Sequence, residues 1–227
     1  AVERLLGLSC ADAGMVLATP ATLPVPAPEP APCSFRLAAY YLPQFHPVPE
    51  NDAWWEPGFT EWHNVVRARP LFAGHEQPKL PGELGFTDLR LAETRAAQAA
   101  LAAAYGIDAF CWYFYCFDGR RMLERPLNEM LAGGAPDFPF LLCWANEPWS
   151  RSWDGQPEQV LIAQDYAPDW PERLAAEIAP ALADPRYLRL EGRPVLLIYR
   201  VMHIPGFAEG LRRLRAALAA QGLGAVH

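Results

Sequence analysis

Short runs of almost uninterrupted apolar residues alternate with longer amphipathic stretches along most of the chain. The apolar runs cover residues 35–41, 107–115, 138–144 and 194–199, and a fifth begins at 224–227. Runs of this kind are typical of strands that are covered on both faces, as in parallel sheets. The stretches between them predict helices over residues 89–105, 121–132, 168–183 and 207–221. The alternation therefore predicts βα units around a parallel sheet.

The predicted helices are bounded by residues that favour starting or stopping a helix. Asp88 precedes the first long helix and is expected to cap it, while Gly106 and Gly222 follow the ends of two helices. Four βα units and a fifth strand fall short of the eight strands, in about 250 residues, that close a barrel. We therefore predict an α/β fold of the (β/α) TIM-barrel type, truncated after about four βα units.

Two segments depart from this pattern. Residues 20–32 contain six prolines, which predict a semi-rigid, extended linker. We therefore assign residues 1–34 to a Pro-rich linker or the tail of a preceding domain, and residues 35–227 to the N-terminal part of a barrel. The segment 44–87 is too long and too aromatic for a simple connector, so we expect an elaborated loop that carries function.

The charge distribution argues against several classes of partner. The chain has 26 acidic and 19 basic residues, a net charge of -7, and no basic run longer than two residues. Nucleic acid is therefore disfavoured as a partner. No apolar stretch reaches the roughly 18 residues that a membrane span requires. We expect a soluble piece of a longer chain that carries further domains.

The cysteines indicate reduced thiols. The chain has five, and Cys111, Cys116 and Cys143 lie inside apolar, strand-like runs, which favours core-filling thiols. Aromatic residues fill the four positions between Cys111 and Cys116, so this spacing lacks the turn that a zinc site needs. We therefore predict no metal and no cofactor, and a cytoplasmic location.

Residues with the chemistry of a sugar site follow the predicted strands. In parallel α/β folds the active site lies beyond the carboxyl ends of the strands. Aromatic rings stack on the C–H face of a pyranose, and carboxylates, amides and imidazoles fix its hydroxyls. The candidate substrate-binding residues are Tyr41, Gln44, His46, Glu61, Trp62, Trp112, Tyr113, Asn146, Trp149, Tyr199 and Arg200. We expect them to converge on one rim of the sheet.

Glu147 is the candidate catalytic residue. It directly follows an apolar strand, at a depth where an ionised group is costly unless it is paired. Other positions have equally good structural interpretations. The rings of Trp112, Phe114 and Trp144 are typical core residues of a strand, and Arg151 and Asp154 either bind substrate or pair with each other. Three further histidines, at 63, 75 and 203, are expected to be surface or packing residues.

Six motifs in succession carry a family resemblance. They read Ala-Tyr-Tyr-Leu-Pro-Gln-Phe-His at 39–46, Gly-Phe-Thr-Glu-Trp at 58–62, Gly-Ile-Asp-Ala-Phe-Cys-Trp-Tyr at 106–113, Trp-Ala-Asn-Glu-Pro-Trp at 144–149, Trp-Asp-Gly at 153–155 and Gly-Arg-Pro-Val-Leu-Leu-Ile-Tyr-Arg at 192–200. The succession resembles that of WbsX-type proteins of bacterial polysaccharide loci and of glycoside hydrolase family 99-like domains. The resemblance implies a (β/α) barrel that acts on glycans without a metal.

One departure limits what the resemblance implies. Family 99-like proteins are expected to carry their glutamate pair in an Asn-Glu-Trp-type motif near the end of the barrel, beyond residue 227. The run Asn146-Glu147-Pro148-Trp149 is similar but follows an earlier strand. The resemblance therefore does not transfer an acid/base role to Glu147, and these residues are expected to supply the substrate-binding half of a site.

Three functions fit these observations. The first is an enzyme that cleaves or forms glycosidic bonds in bacterial cell-surface polysaccharide (O-antigen or lipopolysaccharide) metabolism, with two carboxyl groups at the scissile bond. The second is a sugar-nucleotide-dependent glycosyltransferase, although the chain has no Asp-x-Asp motif and no Gly-rich phosphate loop. The third is a glycan-binding module without catalysis. In all three the partner is a glycan.

Overall fold

The computed structural model describes residues 36–151 and 155–227, so the predicted linker over 1–34 lies outside the described residues. None of the described helices is long and apolar enough to cross a membrane. The strands and α-helices follow in the order β1 (Ala38–Tyr41), α1 (Pro49–Trp54), α2 (Glu61–Arg67), α3 (Ala92–Ala104), β2 (Ala109–Phe117), β3 (Arg120–Met122), α4 (Arg125–Gly133), β4 (Phe140–Trp144), β5 (Trp149–Arg151), β6 (Gln156–Ile162), α5 (Trp170–Ala183), β7 (Arg189–Leu190), β8 (Arg193–Pro194), β9 (Leu196–Ile198) and α6 (Phe207–Ala220).

The main sheet is parallel and has the order β1-β2-β4-β9. Its strands correspond to the four apolar runs of the sequence. Three are shorter than predicted, and β2 is shifted by two residues toward the carboxyl end. The bulky residues Tyr41, Trp112, Leu142 and Leu196 form one row across the sheet. The pairing of the runs at 35–41 and 107–115 is parallel, as predicted. Because the strands are in register, residues that share a row also share a face.

One face of the sheet is covered by helices. The Tyr41 hydroxyl donates a hydrogen bond to Gln98 of α3 (2.5 Å). Trp170 of α5 stacks on Trp144, with ring centroids 5.4 Å apart. Met130 of α4 and Leu214 of α6 belong to the same buried cluster. Burial of these apolar side chains between sheet and helices provides most of the stabilisation of the fold, at about 25 cal/mol per Å².

The opposite face carries the alternate residues of each strand. We call it the inner face, and it consists of Tyr40, Cys111, Tyr113, Leu141, Cys143, Leu197 and Tyr199. Tyr113 lies at its centre, with ring centroids 5.3 Å from Tyr40 and 5.9 Å from Tyr199. No described helix covers this face. The phenol groups of the sheet are therefore concentrated on the side away from the helices.

The winding of the chain distinguishes between two parallel architectures. Each of the strands β2, β4 and β9 is added on the same side of the preceding one, and α3, α4, α5 and α6 all pack on one face. A doubly wound sheet would reverse its strand order and carry helices on both faces. The predicted α/β fold with a parallel sheet is confirmed, and one-sided winding is the arrangement of (β/α) barrels.

Two predicted helix starts are wrong. Asp88 does not cap α3, which begins at Ala92 after Leu91, because the Asp88 carboxylate instead accepts hydrogen bonds from the backbone and guanidinium of Arg90. The helix predicted over 121–132 begins only at Arg125. Residues Arg120–Met122 form β3 instead, which pairs antiparallel with the end of β2.

The hairpin that joins β2 to β3 has a recognisable cause. Asp118 and Gly119 both have positive φ, at 49° and 88°. An Asp-Gly pair is the preferred two-residue connection of tight hairpins because both positions require this conformation. The Asp-Gly pair at 118–119 is thus a hairpin signal in the sequence. It prevails over the helical pattern of the residues that follow, which form β3 instead.

The last residues of the chain lie beside β9. No strand is assigned over 224–227, but the His227 N–H donates to the Pro194 carbonyl (3.0 Å), and the His227 carbonyl accepts from the Leu196 N–H (3.1 Å). This two-bond pattern is that of a parallel pairing. The predicted fifth strand therefore begins at the expected edge of the sheet, but only one of its residues, His227, makes the pairing.

The three described cysteines are free and buried. Cys111 and Cys116 are five residues apart in one strand, so they lie on opposite faces of the sheet and cannot share a metal ion. Cys111 lies instead on the inner face, which it shares with Cys143 of the neighbouring strand β4.

A glycine allows α5 and α6 to approach closely. A Cβ atom on Gly210 of α6 would overlap the indole ring of buried Trp170. In an open helix, Gly→Ala stabilises by about 1 kcal/mol through helix propensity. We expect Gly210→Ala to destabilise the protein instead, by about 1–3 kcal/mol, because the Trp170 ring must shift within a packed core.

Chemical denaturation of the Gly210→Ala protein and of the wild type measures the difference in their free energies of unfolding. Gly133→Ala is the matched control, since it also lies in a helix but has no heavy atom within 4 Å of the added Cβ. It should be neutral or stabilising. If the Gly210→Ala protein were as stable as the wild type, the close approach of α5 and α6 would not depend on the absence of a side chain at residue 210.

Candidate functional site

A pocket lies at the carboxyl ends of the sheet strands. Its walls come from the loop after β1, from α1 and α2, and from the β5–β6 hairpin. Its volume is about 200 Å³, and its lining residues are Gln44, Asn51, Trp54, Trp55, Glu61, Pro148, Trp149, Ser150 and Leu161. We call this the tryptophan pocket. Three of its nine lining residues are tryptophans, and Glu61 is the one lining residue with an ionisable carboxyl group.

Trp149 anchors the pocket to the sheet. Its indole ring meets Tyr115 and Phe117 of β2 edge to face, with centroids 4.9 and 5.5 Å apart. On its other side it meets Trp54 of α1 in the same geometry, at 6.0 Å. Such T-shaped aromatic pairs contribute about 0.5–1.5 kcal/mol beyond their buried area. The aromatic wall is therefore fixed to the strand that forms the centre of the fold.

Local sequence signals place Glu61 at the N-terminus of α2. Gly58 turns the chain with a φ of 77°, and its N–H donates to the Asp52 carboxylate (2.8 Å). Thr60 then caps α2 in a reciprocal capping box with His63, whose Nδ1 accepts from the Thr60 N–H (3.1 Å). Glu61 is consequently the first residue of the helix, and its side chain lines the pocket.

The Glu61 carboxyl group is an unusual acid for this protein. It is half-buried, and burial raises its pKa from 4.5 to about 7. Among the described residues, no ion pair or hydrogen bond offsets that burial. A carboxyl group that loses hydration without gaining a cation favours its neutral form. Near neutral pH, Glu61 is therefore present both as an acid and as a carboxylate.

Gln44 and Tyr115 form the floor beside Glu61. The Gln44 Nε2 group donates to the Tyr115 hydroxyl (2.9 Å), which fixes the orientation of the amide. The Gln44 Oε1 atom is buried and has no hydrogen-bond partner in the described part of the chain. Burial, and to a smaller extent the neighbouring Tyr113 and Glu61, raises the pKa of Tyr115, so its hydroxyl stays protonated. The pocket thus contains an acceptor that lacks a donor.

A second polar group lies where β4 and β9 end. The Asn146 side chain is buried and donates to the Tyr166 hydroxyl and the Arg200 carbonyl, both at 2.9 Å, while accepting from the Arg200 N–H at 2.8 Å. Both donor hydrogens and one of the two acceptor positions of this amide are thereby used within the protein. Asn146 holds the chain after β9 against the chain after β4. Its role in substrate binding stays a prediction.

Glu147 points to the same junction. Its Oε1 atom accepts a hydrogen bond from the Nε of Arg200 at 2.5 Å, and both side chains are partly exposed. This ion pair joins the chain after β4 to the chain after β9. Next to it, Tyr199 extends the inner face toward Tyr113. Glu147, Tyr199 and Arg200 therefore contribute fixed charge and an aromatic surface to the end of the sheet.

The structure separates the predicted site residues into groups. Gln44, Glu61 and Trp149 line the tryptophan pocket, whereas Tyr113, Asn146, Glu147, Tyr199 and Arg200 lie on the inner face or at the ends of β4 and β9. Tyr41 and Trp112 do not reach the rim as expected. They face the helices, with rings 4.2 Å apart, because positions 41 and 112 share the helix-covered row of the sheet.

His46 and Trp62 are part of the packing of the long loop. His46 is only 1% exposed, and burial lowers its pKa, so the imidazole is neutral and inaccessible. Trp62 donates from its indole N–H to the Thr87 carbonyl (2.7 Å) and packs against Phe45 and Phe86. The expectation that all candidates converge on one rim is therefore wrong for Tyr41, Trp112 and His46.

The prediction missed six of the nine residues that line the tryptophan pocket, among them Trp54 and Trp55. It also missed Tyr115, which binds Gln44, and Tyr40 on the inner face. The period-2 alternation of a strand would have identified the two tyrosines, because Tyr115 shares the face of Tyr113 and Tyr40 pairs with Cys111 on that face. No local pattern in the sequence indicates that Trp54 and Trp55 line a pocket.

The buried acid predicts a specific dependence of stability on pH. Because the pKa of Glu61 is higher in the folded protein, folding is favoured below its ordinary pKa of 4.5, and this advantage is lost as the pH rises through about 7. We expect the stability of Glu61→Gln relative to the wild type to be greater at pH 8 than at pH 4. The expected change in this difference in the free energy of unfolding is about 1–3 kcal/mol, after allowance for partial exposure.

Urea denaturation at a series of pH values tests this expectation, because the difference between the two proteins isolates the contribution of residue 61. Glu93→Gln is the control, as Glu93 is exposed on α3. Comparison with this variant removes the effect that the loss of any exposed carboxyl group has on stability. A flat difference curve for Glu61→Gln would contradict the raised pKa.

Comparison with known proteins gives three similarities. Two proteins of Xanthomonas campestris pv. campestris, from strains B100 and ATCC 33913 and each named uncharacterized protein WxcX, are 48% identical over 200 residues. The alignment covers 88% of this chain and 28% of each relative, so the chain spans little more than a quarter of their length. A GH99 endo-alpha-mannosidase from Bacteroides thetaiotaomicron is similar with a TM-score of 0.42 and 13% identity, over 74% of this chain and 43% of that one.

The family comparison covers most of the chain. Residues 37–227 match the family described as glycosyltransferase WbsX. This range begins at the first strand of the sheet and includes every element of the tryptophan pocket. The chain therefore belongs to the WbsX glycosyltransferase family.

Proposed function

We propose that the chain supplies the sugar-binding part of a domain that cleaves or forms glycosidic bonds. The observation that carries the proposal is the tryptophan pocket, in which three indole rings surround a single ionisable group, Glu61. Flat aromatic rings match the C–H face of a pyranose, and a few fixed polar groups match its hydroxyls. Membership in the WbsX family supports the same class of substrate.

The size of the pocket favours one sugar ring. Its volume of about 200 Å³ lies below the range of roughly 300–1,000 Å³ that holds drug-sized ligands. A single ring of a larger glycan fits this scale, with the rest of the glycan lying across the partly exposed Trp54 and Trp149. We infer a substrate of which one residue is enclosed and the others extend along the rim.

The lining supports a neutral glycan better than a sugar nucleotide. None of the nine lining residues is basic, and the helix whose first residue faces the pocket presents the carboxyl group of Glu61. The diphosphate of such a donor would have to lie beside the Glu61 carboxyl group, and no lining residue supplies a cation to bind it. The pocket therefore favours a neutral glycan over the donor of a nucleotide-dependent transferase.

The cellular setting is part of the proposal. We propose that the protein acts in the cytoplasm, in bacterial cell-surface polysaccharide metabolism, and that further domains of a longer chain complete its catalytic site. Three buried free thiols and the resemblance of the sequence motifs support this setting. The short span relative to the Xanthomonas relatives supports the further domains.

Trp54→Leu tests the pocket as a sugar site. Glycan-array screening of the protein, followed by calorimetric titration with the oligosaccharides that bind, gives the wild-type affinity. Loss of the Trp54 ring should raise the Kd about 10- to 100-fold, since one stacking aromatic residue contributes about 1.4–2.8 kcal/mol. The ring also contacts Trp149, so near-ultraviolet circular dichroism must show that the fold is kept.

Tyr105→Leu is the matched control. Tyr105 is 73% exposed and follows α3, which leads into the amino end of β2, so removal of its ring should leave the Kd unchanged. Titration with UDP-sugars and GDP-sugars tests the transferase alternative. Binding of a nucleotide sugar at this pocket, or glycan binding that is equally weakened by both variants, would contradict the proposal.

A further inference from the structure

We propose that Glu61 is the general acid of this site and delivers a proton to the glycosidic oxygen. The proposal rests on the proposed function. It places a general acid among the residues of this chain, whereas the family resemblance implies a glutamate pair beyond residue 227. Its basis is geometric. Among the residues that line the tryptophan pocket, Glu61 is the one that can carry a transferable proton at moderate pH, and its carboxyl group faces the space where the sugar is enclosed.

The step balances in protons and electrons. As the bond between C1 and the glycosidic oxygen breaks, its electron pair stays on the oxygen, and the Glu61 proton moves to that oxygen to give a neutral alcohol. Glu61 is left as a carboxylate. A water molecule or an acceptor hydroxyl forms the new bond to C1 and loses a proton, which restores the acid form of Glu61. Protonation of the leaving group is the general-acid step of glycosidic chemistry.

The contrast with Glu147 decides between the two carboxyl groups. Glu147 is ion-paired to Arg200, and several other glutamates are paired with arginines in the same way, at 50, 56, 129 and 172. In each of these pairs a guanidinium nitrogen already lies against a carboxylate oxygen. Glu61 has no arginine or lysine partner among the described residues. It is therefore the carboxyl group of this end of the sheet that is suited to donate a proton.

The surroundings of Glu61 keep the proton available. Burial without a counterion raises its pKa to about 7, which is close to the value that best serves an acid catalyst at neutral pH. The titratable group that faces it from β2 is Tyr115, which stays protonated. On α2, the His63 ring is turned toward Thr60 and Glu56. The lining residues from α1 and from the β5–β6 hairpin carry no charge.

Gln44 provides a second, independent feature of a working site. Its Oε1 atom is buried in the same pocket without a donor, while its Nε2 is committed to Tyr115. A buried acceptor without a partner costs about 1–3 kcal/mol. The O–H of a bound sugar would supply the missing donor. Both Gln44 and Glu61 are thus unfavourable for the empty protein, which is typical of groups that are arranged for a ligand.

The leaving group of the substrate tests the proposal. The probes are 4-methylumbelliferyl and 2,4-dinitrophenyl glycosides of the sugar that the titrations identify, assayed with the full-length protein. In Glu61→Gln, turnover of the 4-methylumbelliferyl glycoside should fall about 100- to 10,000-fold, the usual effect of losing a general acid. Turnover of the dinitrophenyl glycoside should be largely kept, since its leaving group needs no proton. The basic limb of the pH–rate profile near 7 should disappear.

The control and a second measurement make the outcomes decisive. Glu93→Gln, on the exposed side of α3, should match the wild type with both glycosides. Equal loss with both glycosides in Glu61→Gln, or an unchanged basic limb, would overturn the acid role while leaving glycan binding intact. Independently of turnover, carbon-13 NMR of labelled glutamate, assigned with Glu61→Gln, should show one carboxyl group that titrates near 7. A midpoint for residue 61 near 4.5 would overturn the proposal, whereas failure of all saccharides to bind would overturn the proposed function.

Discussion

The two faces of β2 are the constraint on which the rest of the structure depends. The strand runs Ala109–Phe117 and lies between β1 and β4, so it is covered on both edges by other strands. Its alternate residues divide by chemistry. Phe110, Trp112 and Phe114 share the face that packs on the helices, and Tyr113 and Tyr115 share the other. Because the period of a strand is fixed at two residues, the same nine positions build the core and support the site.

This division explains how the aromatic pocket stays rigid. Trp149 packs on Tyr115 and Phe117 at the carboxyl end of β2, and Gln44 is bound to the Tyr115 hydroxyl. The wall and floor of the pocket are thus attached directly to the central strand, although they come from loops. A site on loops that are anchored to a rigid sheet loses little conformational entropy when a ligand binds.

The main elements of the fold could be predicted from the sequence because burial on both faces leaves a clear trace. The four apolar runs became the four strands of the parallel sheet, in the predicted order. What failed were predictions that depend on competition between local interactions. Asp88 had two possible partners, the start of α3 and Arg90, and it took Arg90. The Asp-Gly turn at 118–119 was stronger than the helical pattern behind it.

The site could be predicted in composition and only partly in geometry. Gln44, Glu61 and Trp149 do line one pocket. Tyr41 and Trp112 were misplaced because the position after a strand was considered without the face to which each side chain points. The pairing of Glu147 with Arg200 joins residues 53 positions apart, and no local pattern contains it. The state of a carboxyl group depends on such partners, so the sequence alone favoured Glu147 over Glu61.

The contact between Trp54 and Trp149 has a consequence for the folding reaction. The pocket closes only when α1 meets the β5–β6 hairpin, and a neighbouring hydrogen bond, from Arg151 to the Trp54 carbonyl, spans 97 positions of the chain. Contacts of such long range form late, because the entropy of a large loop must be lost first. A partly folded molecule with its parallel strands paired therefore lacks the tryptophan pocket. A newly synthesised chain cannot bind any ligand there until the loop after β1, α1 and the β5–β6 hairpin have all assembled on the sheet.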